Sequence, residues 1–126
     1  MGYRELGWNI LARCARWTEH YPYLPQDAFT DSVADLDEED MPLEIAGGSG
    51  AQAILFGVFG LHPNMDGSLE VSPAYHRDLG EARMAGYHFR GHTYDVAMTP
   101  HGFSVYKDGA LIGRDAYGST MKIPRP

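Results

Sequence analysis

Apolar residues recur at intervals of three and four positions near the start of the chain. They are Tyr3, Leu6, Ile10, Cys14 and Trp17. On a helix of 3.6 residues per turn this spacing gives one apolar stripe, so the pattern predicts an amphipathic helix from Tyr3 to His20. The helix ends at Tyr21 because the residue before a proline, here Pro22, is disfavoured in the helical conformation.

A longer apolar run, Ala51 to Phe59, follows a glycine-rich turn at residues 47–50. Ser49 suits a helix N-cap, and only Gln52 is polar within the run, so we expect a short helix that is apolar on all sides. Such a helix is typical of a protein interior. The run extends to Leu61 and has about half of the roughly 20 residues that a bilayer requires, which excludes a membrane span.

Beyond Leu61 the hydrophobic period changes from that of a helix to that of a strand. Turn residues separate the runs, and Asp108-Gly109 is a strong hairpin signal. The predicted strands are residues 68–71, 82–89, 93–98, 103–106, 110–112 and 119–123. Helices followed by antiparallel strands predict an α+β fold. We expect one compact unit with a helical region and acidic loop over residues 1–61 and a β-sandwich or sheet over residues 62–126.

Charge is distributed unevenly along the chain. The formal net charge is -7, and no Lys or Arg occurs between Arg16 and Arg77. Eight acidic residues crowd into residues 27–44, which predicts a solvated loop. Because the chain lacks a basic cluster, nucleic acid and anionic membranes are not expected partners.

The residues that commonly carry cofactor or nucleophile chemistry do not form a recognised motif. The six histidines are scattered, no Cys or carboxylate completes a zinc set around His88 and His92, and Cys14 fits a core position. The turn at residues 47–50 lacks the Lys-Ser/Thr of a P-loop, and Ser49 lacks a Gly-x-Ser-x-Gly elbow. We therefore expect no metal and no cofactor. The start of the chain lacks a signal-peptide pattern, so the default compartment is the cytoplasm.

Four segments in order carry a family resemblance: PLEIAGGSG at residues 42–50, ILFGVFGL at 54–61, DGSLEVSP at 66–73 and FRGHTYDV at 89–96. Together they resemble the carboxyl-terminal portion of six-hairpin glycoside hydrolases and phosphorylases, the group with the family 65 disaccharide phosphorylases and family 95 α-fucosidases. The resemblance implies that the helices are the last ones of an (α/α)6 barrel and that the strands form a carboxyl-terminal β-sandwich.

The resemblance also implies a role at a sugar site. The chain would be a structural and substrate-rim segment of a carbohydrate-active enzyme, inactive alone because the general acid lies in an earlier part of the barrel. With the rest of the barrel present, two carboxylates would carry out glycosidic hydrolysis or phosphorolysis. The expected partners are carbohydrate and that barrel. The candidate substrate-binding residues are Tyr21, Tyr23, Glu44, Gly47, Gly48 and Ser49.

Two alternatives are open at this point. The β region from Ser68 to Ile123 fits a non-catalytic module that binds carbohydrate or protein. The apolar segment that contains Phe56 and Phe59 fits a surface for self-association.

Overall fold

The computed structural model describes residues 3–17 and 51–126. The fold divides into two compact units, Met1–Ala53 and Ile54–Pro126. The predicted division after Leu61 stays a prediction. Of the predicted candidate residues, all six lie between residues 18 and 50, outside the described part of the chain.

The first unit contains helix α1, Tyr3–Trp17. Glu5 in its first turn and Arg16 in its last turn have the charge signs that the helix dipole favours. Leu6 and Ile10 belong to the predicted apolar stripe, yet they are 53% and 55% exposed. The stripe in the sequence therefore predicts the helix correctly but does not describe a buried face.

The apolar run at the start of the second unit forms a short π-helix, Ala53–Val58. The Phe59 N–H donates to the Ile54 carbonyl at 3.0 Å, the five-residue spacing of that helix. Ile54 is 45% exposed, whereas Val58 and Phe59 at the end of the run are buried. The prediction of a helix buried on all sides is wrong, because only the end of the run reaches the core.

Seven strands in two antiparallel sheets make up most of the second unit. A three-stranded sheet has the order β1-β2-β7 and a four-stranded sheet the order β3-β4-β5-β6. The strands are β1 Leu61–Pro63, β2 Leu69–Val71, β3 Ala82–Phe89, β4 His92–Thr99, β5 Gly102–Lys107, β6 Ala110–Asp115 and β7 Met121–Ile123.

Both sheets contribute alternate residues to one core. From the three-stranded sheet these are Leu61, Leu69, Val71 and Ile123, and from the four-stranded sheet Tyr94, Val96, Met98, Phe103 and Val105. The sheets contact each other directly, because a Cβ built on Gly113 of β6 would lie 2.7 Å from the Met121 side chain of β7. This arrangement is a small β-sandwich.

Two-residue turns with positive φ join two pairs of strands in the four-stranded sheet. Arg90 and Gly91 connect β3 to β4, and Asp108 and Gly109 connect β5 to β6. All four residues have positive φ, between 48° and 82°, which is the backbone of a type I′ turn. The Asp-Gly sequence predicts this turn directly, whereas Arg90 adopts it without a local preference for positive φ.

The expected fold class needs correction. We predicted an α+β fold whose helices were the last helices of an (α/α)6 barrel. The described chain is mostly antiparallel β, with α1 and two helices of a few residues, Ala53–Val58 and Arg77–Leu79. The barrel assignment came from the family resemblance and was wrong. The hydrophobic period placed α1 and the short helix but does not tell whether an apolar segment has neighbours that cover it.

Candidate functional site

A groove of about 570 Å³ lies on the four-stranded sheet, and its lining includes Ala97, Ser104, Tyr106 and Arg114. Along β4 and β5 these residues alternate with the buried residues of the core, and Arg114 on β6 pairs with Ser104. They therefore lie on the sheet face opposite the core, which we call the outer face. Its volume falls within the range of small-molecule sites in proteins.

Strand register places three lining residues of the groove, Ala97, Ser104 and Arg114, in one row across the sheet. The row continues to Arg83 on β3, which does not line the groove. Arg83 pairs with Ala97, Ala97 with Ser104, and Ser104 with Arg114. The row crosses all four strands, with two short side chains at its centre and an arginine at each end. Because Ala and Ser project little above the sheet, the surface is lower between the two arginines.

A second row forms one side of the groove. Asp95 pairs with Tyr106, and Tyr106 pairs with Leu111. The half-buried Tyr106 lies beside the Arg83 guanidinium, whose carbon is 5.6 Å from the centre of the tyrosine ring. This distance is within the range of a cation–π contact, which holds the ring and the arginine together.

The two charges at the β3 side of the groove neutralise each other. Arg83 Nη2 donates to Asp95 Oδ2 at 2.6 Å, and the Gly86 N–H donates to Asp95 Oδ1 at 2.9 Å. The Gly86 hydrogen bond and then the Arg83 guanidinium hold the pKa of Asp95 below its ordinary value. Asp95 is thus a fixed anion with both oxygens occupied, which does not suit a general acid.

Three polar groups in the groove have no such partners. Among the described residues, the hydroxyls of Ser104 and Tyr106 make no hydrogen bond and the Arg114 guanidinium forms no ion pair. All three project from the same face, around the floor formed by Ala97. The groove therefore presents a ring, two hydroxyls and one cation to a ligand.

The turn between β4 and β5 lines one end of the groove, and Tyr117 contacts this turn. The Tyr117 hydroxyl oxygen lies 2.5 Å from the Thr99 carbonyl oxygen and 2.8 Å from the Gly102 carbonyl oxygen, so its one proton is shared between the two acceptors. The Tyr117 ring stacks on Tyr75 with 4.8 Å between centroids. Burial raises the pKa of Tyr117, so the hydroxyl stays a donor at neutral pH. These contacts keep the turn in one position beside the groove.

Two further histidines, His92 and His88, make contacts beside the turns. Asp108 Oδ1 accepts the Thr93 N–H at 2.9 Å, and Asp108 Oδ2 lies 2.7 Å from His92 Nδ1. These two contacts, the backbone one first, lower the pKa of Asp108. His88 Nδ1 instead lies 3.2 Å from Thr93 Oγ1. Within residues 3–17 and 51–126, no three His, Cys, Asp or Glu side chains are grouped as metal ligands would be.

Sequence reasoning did not find the groove residues. Ser104 and Tyr106 were recognised only as part of a strand, and Arg114 lay beyond the predicted end of the last hairpin strand at residue 112. The outward positions of alternating strands were the available signal. That signal does not tell which outward residues on different strands lie side by side, because this depends on register.

Comparison with known proteins leaves the groove without a precedent. No family model, no curated protein and no solved structure matches this chain. None of the helices in the described ranges is both long enough and apolar enough to span a bilayer.

Proposed function

We propose that residues 54–126 form a non-catalytic β module of a carbohydrate-active enzyme and that the outer groove contacts carbohydrate. The observation that carries the proposal is the convergence of the Tyr106 ring with the unpartnered hydroxyl of Ser104 and guanidinium of Arg114. Aromatic rings stack on the apolar faces of sugars, and hydroxyl and guanidinium groups form hydrogen bonds with sugar hydroxyls.

The motifs of the family resemblance are consistent with a module of this kind. Asp66 Oδ1 accepts hydrogen bonds from the Ser68 N–H and hydroxyl, at 2.8 and 2.6 Å, within the turn between β1 and β2. Arg90 and Gly91 form the type I′ turn between β3 and β4. Both motifs thus lie at turns of the sandwich. The resemblance would therefore reflect a shared turn and strand arrangement of the module.

Three carboxylates of the module, Asp66, Asp95 and Asp108, do not suit the role of a catalytic acid. The pKa values of Asp66, Asp95 and Asp108 are lowered, chiefly by hydrogen bonds from Ser68, Gly86 and Thr93 respectively. Glycosidic bond cleavage requires one carboxyl group with a raised pKa as the acid. These three carboxylates have the opposite property.

A glycan array probed with the full chain tests the proposal. We expect retention on a defined set of saccharides and about 3- to 10-fold weaker retention of the Tyr106→Ala variant, since aromatic stacking is worth on the order of 0.5–1.5 kcal/mol. Tyr106→Phe is the matched control, because it keeps the ring and removes only the hydroxyl. We expect it to retain most of the binding.

Two results would count against the proposal. A folded chain that binds no saccharide would exclude a carbohydrate-binding groove. Turnover of chromogenic glycosides by the chain, abolished by Asp115→Asn at the carboxylate that lines the groove, would exclude a non-catalytic role of the module.

A further inference from the structure

The row that contains Ala97 and Ser104 has an arginine at each end, and the two arginines differ in their partners. Only Arg114 lines the groove. Arg83 is neutralised by Asp95 at 2.6 Å. Arg114, at the other end of the same row, has no carboxylate partner among the described residues. The groove therefore holds one cation whose charge is not compensated by a neighbouring side chain.

The nearest acidic residue in sequence does not cancel this charge. Asp115 also lines the groove, but it pairs with Phe103, whose side chain is in the core, whereas Arg114 pairs with Ser104 on the outer face. Successive side chains of a strand point to opposite faces, so the two charges are directed apart. Asp115 Oδ1 also accepts the Ala116 N–H at 2.8 Å.

From this asymmetry we infer that the groove selects a saccharide that carries a carboxylate, such as a uronic acid, with the sugar ring against Tyr106 and the carboxylate on Arg114. The inference rests on the proposed carbohydrate contact and adds the class of ligand. A guanidinium presents parallel N–H donors that match the two oxygens of a carboxylate. Ser104, directly between Ala97 and Arg114 in the row, supplies a hydroxyl for the same ligand.

Paired ligands separate the charge contribution from binding of the sugar ring. The full chain is titrated with the methyl glycosides of glucose and galactose and with those of the corresponding uronic acids, at about 0.15 M salt to screen distant charges. Backbone amide shifts in NMR spectra report affinity and location. We expect at least one uronide to bind about 3- to 10-fold more tightly than its neutral parent, the size of a charge-assisted hydrogen bond at an exposed site.

Substitutions test whether the preference for the uronide over the neutral sugar depends on the Arg114 side chain. Arg114→Gln should bring the affinity ratio of uronide to neutral sugar to about one, because any loss of hydrogen bonds to sugar hydroxyls weakens both ligands alike. Arg77→Gln, the same substitution at an exposed arginine outside the groove, should leave the ratio unchanged. Tyr106→Ala should weaken both ligands together.

Each other outcome overturns the inference. Neutral sugar bound as tightly as its uronide, or a ratio that survives Arg114→Gln, would refute carboxylate selection and leave the carbohydrate contact standing. Sodium sulfate that competes as well as the uronide does would identify a general anion site in place of a sugar-acid site. No binding by any of these ligands would refute the carboxylate inference, and a silent glycan array would refute the proposed function with it.

Discussion

Gly60 lies where two backbone segments of the sandwich are in direct contact. Its carbonyl accepts the Ser72 N–H at 2.9 Å, and two residues away the Val58 carbonyl accepts the Ala74 N–H at 2.9 Å. Gly60 has φ +65°, and a Cβ added to it would overlap the Ser72 carbonyl group. Backbone conformation and space both require glycine here.

We therefore expect Gly60→Ala to destabilise the protein by about 3 kcal/mol, since the overlap involves backbone atoms that cannot rotate away. Gly91→Ala is the matched control. Gly91 also has positive φ, +80°, but an added Cβ would meet nothing within 4 Å. Gly91→Ala should therefore lower the free energy of unfolding only by the cost of alanine at positive φ, about 1 kcal/mol. Urea denaturation followed by circular dichroism gives both values. Equal losses in the two variants would contradict the argument from close approach.

A β-bulge in β3 shows how a single side chain stabilises an element. The register between β3 and β4 shifts between Met84 and Tyr87, and Gly86 within the bulge has φ +80°. The amide of Gly86 is paired with the carboxylate of Asp95 on the neighbouring strand, at 2.9 Å. Asp95 thus satisfies a backbone donor of the bulge and fixes Arg83 beside the groove.

We predict that Asp95→Asn lowers the free energy of unfolding at pH 7 by about 1 kcal/mol, because the amide still accepts from Gly86 but loses the exposed ion pair with Arg83. The pKa of Asp95 is lower in the folded than in the unfolded chain. Its stabilisation is therefore complete above the unfolded pKa, near 4, and is lost as pH falls through the folded value.

Thermal melts between pH 2 and 7 measure this dependence. The wild-type melting temperature should fall below about pH 4, and Asp95→Asn should show a shallower fall, since Asp66 and Asp108 contribute in the same direction. Glu81→Gln, an exposed carboxylate just before β3, serves as the control and should follow the wild-type curve. A variant curve parallel to that of wild type would disprove the assignment to Asp95.

The sequence predicts those elements whose conformation is set by neighbouring residues and misses features that depend on distant parts of the chain. The predicted strand 82–89 coincides with β3, and the predicted turn at Asp108-Gly109 connects β5 to β6. Both follow from neighbouring residues, through side-chain alternation and the preference of Asp-Gly for positive φ. The π-helix at Ala53–Val58 was wrongly predicted to be buried on all sides, because burial depends on distant parts of the chain.

At the scale of the whole molecule, the net negative charge and the described core residues lie in different parts of the chain. Residues 54–126 contain seven Lys or Arg and seven Asp or Glu, so the net charge of -7 belongs to residues 1–53. The buried side chains of the described residues all lie between Val58 and Ile123. The second unit therefore has the core that independent folding requires.

We expect residues 54–126 expressed alone to unfold cooperatively, with a melting temperature within about 5 °C of that of the full chain. Circular dichroism and dispersion of amide signals in NMR spectra provide the measurement. A fragment with poorly dispersed signals and a broad transition would show that residues 1–53 are needed to complete the core.

The sequence by itself determined the positions of six of the seven strands in the second half, the hairpin turns and the helix at the start of the chain, because short-range sterics and side-chain alternation act within a few residues. Strand β1, Leu61–Pro63, was not predicted. Tertiary structure alone decided that Arg83, Ala97, Ser104 and Arg114 share one row and that Asp95 neutralises one of the two arginines. It also decided that Ile54 is exposed while Val58 is buried. The physical reason is that register and burial are set by pairing and packing between segments far apart in sequence, for which a local pattern carries no information.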